Sequence, residues 1–100
     1  MAARGADPDG DDGWQRALHT AAIQGHADIV QRLIARGADV YAPRTDGATP
    51  LHTAAEGGKL DVVNRLLRAG ADPARRDAQG RRPADLARAN GHARVAERLA

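Results

Sequence analysis

Asp46-Gly47-Ala48-Thr49-Pro50-Leu51-His52-Thr53-Ala54-Ala55 packs a turn, a helix start and two turns of helix into one short run. Asp-Gly is a turn dipeptide. Thr49 has the side chain of an N-cap, and Pro50 suits the first helical position, where no backbone N–H is needed and φ is already fixed. Gly58 then supplies the left-handed conformation that ends a helix, so a first helix is expected from about Pro50 to Gly57. Asp61 favours the start of a second helix through its dipole. Val62, Val63, Leu66 and Leu67 follow at i, i+1, i+4 and i+5 and form one apolar stripe, and Gly70 closes the unit.

Sliding the sequence against itself repeats this unit at an offset of 33 residues. Ala17-Leu18-His19-Thr20-Ala21-Ala22 falls on Pro50-Leu51-His52-Thr53-Ala54-Ala55, and Gly25 falls on Gly58 and Gly91. Ile29 matches Val62 and Val95, Leu33 matches Leu66 and Leu99, and Gly37-Ala38-Asp39 matches Gly70-Ala71-Asp72. A period of this length marks stacked supersecondary units. Each helix is about two turns long, too short to persist alone against the cost of nucleation, so neighbouring units must hold it. Segments 39–48 and 72–81, with Asp46-Gly47 and Gln79-Gly80 as turn signals, are expected to be projecting loops or short hairpins.

Composition agrees with thin layers. The chain has 100 residues, at most one domain with a modest core. Phenylalanine is absent, and Trp14 and Tyr41 are the only aromatics, so burial falls to Ala, Leu, Val and Ile. The lack of cysteine removes disulfides, thiolate catalysis and cysteine-based metal sites, and it favours a reducing compartment. The opening residues lack the apolar core of a signal peptide, and no stretch approaches the ~20 apolar residues of a membrane span. A cytoplasmic location is the expectation. Net charge is +2, with the basic excess in the second half.

The run from Asp46 through Ala55, then Gly58, then Asp61-Val62-Val63 through Gly70-Ala71-Asp72, resembles an ankyrin repeat. The resemblance implies an all-α fold: a solenoid of three helix-turn-helix units joined by β-turn or hairpin loops. It covers residues 13–100, divided as 13–45, 46–78 and 79–100. Unit one carries Arg16-Ala17 in place of Thr49-Pro50 and one extra residue before Leu18, so its first helix is expected to start raggedly. Unit three has Arg82 for Thr49, Ala84-Asp85 for Leu51-His52, Arg88 for Ala55, Ala96 for Val63 and Ala100 for Leu67. These exchanges shrink or charge positions that an inner unit buries, as expected of a C-terminal cap that completes the stack. Residues 1–12, with Asp7, Asp9, Asp11 and Asp12, are expected to form a flexible acidic tail, the alternative being a decayed fragment of an earlier repeat, since Gly5-Ala6-Asp7-Pro8 echoes the unit-ending Gly70-Ala71-Asp72-Pro73.

Four histidines are the obvious candidates for chemistry. His19 and His52 share one repeat position, which the resemblance implies is structural, bridging neighbouring loops and units, with Asp85 in its place in unit three. His26, Lys59 and His92 share another, read as tolerant and solvated. No spacing suits zinc. There is no serine, no phosphate-cradling loop and no paired carboxylate in a pocket, so no enzyme activity, metal or cofactor is expected.

The resemblance implies binding of another protein, by a monomer, on loop tips and the exposed side of the first helices. Carried across, this selects Trp14, Gln15, Ile23 and Gln24 in unit one and Thr45, Asp46, Ala48, Glu56 and Gly57 in unit two. In unit three it selects Arg76, Ala78, Gln79, Arg81, Ala89 and Asn90. Trp14 and Ile23 stand out as apolar anchors, with Trp14 alternatively covering the open end of unit one. The sharper alternative is a nucleic acid or acidic partner held by Arg75, Arg76, Arg81, Arg82 and Arg88. It is disfavoured, because no aromatics interleave with these arginines and Asp77 and Asp85 dilute the field.

Overall fold

The Thr49-Pro50 start behaves as its chemistry requires. Thr49 is extended (φ −81°, ψ 169°), its hydroxyl accepts the His52 N–H, and Pro50 opens a helix that runs to Glu56. Gly58 follows at φ +70°, and the second helix of the unit spans Leu60–Arg68 with Val62, Val63 and Leu66 buried. The computed structural model describes residues 13–100, excluding the Trp14 side chain; the acidic segment 1–12 and the expected Trp14 contact lie outside the described residues. Its helices are α1 (Gly13–Gln24), α2 (Ala27–Ala35), α3 (Pro50–Glu56), α4 (Leu60–Arg68), α5 (Pro83–Ala89) and α6 (Ala93–Leu99). Among the described residues there is no strand.

The three units differ where their starting residues differ. In unit three Arg82 lacks a capping hydroxyl, and the Asp85 carboxylate instead accepts the Arg82 N–H at 2.9 Å. Asp85 thereby does for α5 what His52 does for α3, whose Nδ1 accepts the Thr49 N–H at 3.1 Å. In unit one no proline marks the boundary. Ala17, in register with Pro50, lets the helix continue back to Gly13, so α1 has 12 residues where α3 and α5 have 7. The expected ragged start is thus replaced by an extended helix.

The first helices pack in the order α1, α3, α5, and the second helices stack behind them as α2, α4, α6. Alanine on the inner helices permits close approach: Ala22, Ala54, Ala55 and Ala87 are all fully buried. Leu18, Val30, Leu51, Val62, Val63 and Leu66 fill the remaining space. In unit three Arg88 is exposed where its counterpart Ala55 is buried, and Ala100 is exposed as well.

Each loop is closed on itself at the same register. Arg44 N–H donates to the Ala48 carbonyl at 2.8 Å, and Asp77 N–H donates to the Arg81 carbonyl at 2.9 Å. The two loops are joined by Ala78 N–H to the Asp46 carbonyl at 3.0 Å. Gly47, at φ +81°, lies beneath this junction, and a Cβ there would stand 2.7 Å from the Ala78 nitrogen. This tight seat buries the next residue too: Ala48, expected on the exposed face, is 4% accessible and belongs to the core.

Behind the first helices, three positions of each second helix clasp the preceding unit. The Lys59 stem lies against Gly25, and the His92 ring covers Gly58 while its Nε2–H donates to the Glu56 carbonyl at 3.1 Å. Val62 and Val95 are buried. Arg65 donates to Gln31 Oε1 at 3.4 Å and Arg98 to Asn64 Oδ1 at 2.8 Å. The Lys59/His92 position is therefore a junction between units, not the solvated site expected of it.

Candidate functional site

Because α1 and α3 lie side by side and the loop 39–48 leans over their starts, a groove of about 910 Å³ opens between them. One wall is the exposed side of α1, with Gln15, Arg16, Thr20 and Ile23; the other is Ala42, Pro43, Arg44 and Thr45 of the loop. His19 and Thr53 form the floor, and Glu56 stands at the end of α3. Ile23 is 39% exposed, an apolar side chain in a largely polar surround. Its place is fixed from below by Gly57, where a Cβ would come within 3.0 Å of the Ile23 carbonyl.

The floor is held by a histidine relay across units. Thr49 N–H donates to His52 Nδ1, which leaves the His52 Nε2–H to donate to the Arg81 carbonyl of the next loop at 2.8 Å. His19 is hydrogen-bonded to the Thr53 hydroxyl through Nδ1 at 2.8 Å, and its Nε2–H reaches the Ala42 carbonyl at a long 3.4 Å. Each ring thus ties its own first helix to the neighbouring unit or its own loop, which is the bridging role implied for this position. Burial lowers the His19 pKa below its ordinary 6.5, with the Ala42 carbonyl acting against that shift and nearby Arg44 adding to it. Burial favours the neutral His19 ring, so the floor offers hydrogen bonds from an uncharged imidazole and the Thr53 hydroxyl. Among the described residues, no three of His, Asp or Glu converge as metal ligands.

The groove brings together four of the residues selected from sequence: Gln15, Ile23, Thr45 and Glu56. Gln24 instead lines a second, smaller groove on the outer side of α1. Gly57 is half-buried beneath Ile23. Asp46 is exposed but engaged within its own loop, accepting from Ala48 N–H at 3.0 Å and from Arg44 at 2.9 Å. Those bonds, the Ala48 backbone first and the Arg44 side chain next, hold its pKa below the ordinary carboxylate value. Ala78, Gln79, Ala89 and Asn90 are exposed further along the stack. Asn90 turns its amide back to the Leu86 carbonyl at 3.0 Å.

The arginine cluster is largely committed locally. Arg81 pairs with Asp77 at 3.0 Å, while Arg82 and Arg88 both reach Asp85 at 3.3 and 3.2 Å. Arg76 donates to the Gly80 carbonyl at 2.8 Å. Burial acts to raise the Asp77 pKa, but the N–H groups of Arg81 and Gln79 and the Arg81 guanidinium outweigh it, leaving a lowered value. The Arg82 side chain and backbone, with Arg88 beyond, bring Asp85 down to about 2. Both carboxylates therefore remain charged at neutral pH, and the positive field is partly cancelled where a phosphate would approach.

Sequence reasoning missed Arg16, Thr20, Ala42, Pro43 and Arg44 as groove residues. Arg16, Thr20 and Ile23 recur at helical spacing, a signal that becomes readable once α1 is known to extend to Gly13. The loop residues carry no such signal, since their position depends on how the loop leans.

A family model described as ankyrin repeats (3 copies) matches residues 2–77 and residues 18–100, and the first match thus takes in Gly5-Ala6-Asp7. No curated protein matches the chain. Ankyrin repeats are generally protein–protein interaction modules and are typically non-enzymatic. Among the described residues no helix is long and apolar enough to cross a membrane. With a 33-residue period, paired short helices, a histidine relay between units and a family match spanning nearly the whole chain, this protein belongs to the ankyrin-repeat family.

Proposed function

We propose that this chain is a non-catalytic scaffold, monomeric and cytoplasmic, that docks a partner protein in the groove between α1, α3 and the loop 39–48. The observation that carries this reading is the clustering of Gln15, Ile23, Thr45 and Glu56 around one opening, with Ile23 exposed among polar groups. An apolar side chain supported from below and ringed by hydrogen-bonding groups is the usual composition of an interface centre. Thr45, Asp46, Arg76 and Gln79 on the loop tips, and Ala89 and Asn90 at the C-terminal end of α5, extend the contact along the stack. The lack of cysteine supports the reducing compartment.

Affinity capture from nuclease-treated lysate of the source tests this, comparing the wild-type chain with Ile23→Glu and Glu56→Arg. A protein retained at moderate salt by wild type and lost by both variants, with their helical content unchanged, is the expected result. Equal retention by all three chains sinks the groove as docking site, and loss of capture on nuclease treatment alone places nucleic acid ahead of protein.

A further inference from the structure

At both inner junctions the second helix clasps the unit before it through three positions: Lys59 and His92, Val62 and Val95, Arg65 and Arg98. In unit one the same register falls on His26, Ile29 and Arg32. Val62 and Val95 are 0% and 2% accessible, whereas Ile29 is 42% exposed. Among the described residues, neither the His26 ring nor the Arg32 guanidinium meets a partner of the kind that His92, Arg65 and Arg98 have. Ile29 lies in a groove of about 340 Å³ on the outer side of unit one, shared with Arg16, Ala17, Thr20 and His26. Arg16 is the cationic residue that lines this groove, Arg32 follows Ile29 by three residues on α2, at the register of Arg65, and the nearby Asp28 is turned to the Ile29 N–H at 3.0 Å. The face thus carries the register of a junction surface, with an exposed, mainly apolar groove bordered by Arg16.

We infer that residues 1–12 of this chain are the occupant of that surface. They are joined to it directly, because they precede residue 13, the first described residue of α1. A twelve-residue segment reaches up to about 40 Å when extended, against about 18 Å for the length of α1, so every part of the groove is within its span. Its composition complements the surface. Asp7, Asp9, Asp11 and Asp12 outnumber the single Arg4, and Met1, Ala2, Ala3, Ala6 and Pro8 supply apolar atoms for Ile29. Carboxylates on guanidinium groups make charge-assisted hydrogen bonds, replacing the amide oxygens that Arg65 and Arg98 use at the inner junctions. Arg16 and Thr20 line this groove and the concave one alike, so a segment seated here borders the docking face.

The chain has no cysteine of its own, so an Ile29→Cys variant reports on this surface alone. Its alkylation by iodoacetamide is compared in the full-length chain, in a chain lacking residues 2–12, and in a full-length chain with Asp7, Asp9, Asp11 and Asp12 changed to Asn. Arg94→Cys, on the exposed side of α6, serves as control, and circular dichroism checks that each chain is folded. A groove occupied four-fifths of the time slows labelling about five-fold. That slowing is expected in the full-length chain at low salt. It is expected to be lost in the other two and to weaken in 0.5 M salt as charges are screened. Equal labelling in all three chains overturns the inference. Protection that persists without residues 2–12 and grows with protein concentration overturns it as well, and assigns the surface to a second copy.

Discussion

The relay position shows how one residue can serve different units. His52 is fully buried, accepts from Thr49 N–H and donates to the Arg81 carbonyl. Asp85 reproduces the first bond, and its carboxylate takes Arg82 and Arg88 as well. This division gives the molecule two pH dependences with different origins. His19 has a folded pKa below 6.5 because burial disfavours its charged form, so the folded state binds fewer protons there than the unfolded chain. Its contribution to stability is complete above pH 6.5 and is lost as pH falls through that value toward the folded pKa. Asp85 is likewise lowered, from 3.8 to about 2, by its arginine partners; its contribution is complete above about pH 5 and disappears as pH falls toward 2. Urea midpoints are therefore expected to fall in two stages, one setting in as pH drops below 6.5 and one below pH 4. His19→Gln removes the first step and Asp85→Asn diminishes the second. A midpoint independent of pH between 7 and 5 in the wild-type chain contradicts the neutral, buried state of His19.

At the scale of the element, short helices survive because each lends its neighbours a buried stripe. Leu66 on α4 is fully buried within the core cluster, and truncation to alanine is expected to cost about 2 to 5 kcal/mol. Glu56, at the exposed end of α3, is expected to cost about 0.5 kcal/mol or less on the same substitution. Chemical denaturation of the two variants checks this order, and equal destabilisation contradicts it. Most of what shapes α3 and α4 was legible, because Thr49, Pro50, Gly58 and the Val62–Leu66 stripe each have a local mechanism. The extent of α1 was not: the missing proline at Ala17 removes a stop signal, and absence of a stop says nothing about where a helix begins. Ala48 was misplaced for a different reason. Its burial comes from the Ala78–Asp46 bond between loops, a contact between residues of different units that no local pattern announces. His92 hides in the same way, its role set by the Glu56 carbonyl 36 residues earlier.

Across the whole molecule, the period of 33 residues dictates a stack and the stack dictates a groove, since three first helices in a row with loops leaning over them enclose space on one side. The sequence exposed the period, the stacking and four groove residues. It left Arg16 and Thr20 unread because the extent of α1 has no local signal, and Ala42, Pro43 and Arg44 because the loop 39–48 is held by contacts to α1 distant in sequence, Asp39 N–H to Gln15 Oε1 at 3.1 Å and His19 to the Ala42 carbonyl. The division between a core that sets stability and a groove that sets binding is the central claim. It is tested most directly by placing the photocrosslinker p-benzoylphenylalanine at Ile23, in the groove, or at Asp61, on the exposed side of α4, and irradiating each chain in its source cells. The account predicts a discrete adduct with another protein from position 23 and none from position 61. Adducts from position 61 alone, or the same adduct from both, contradict it.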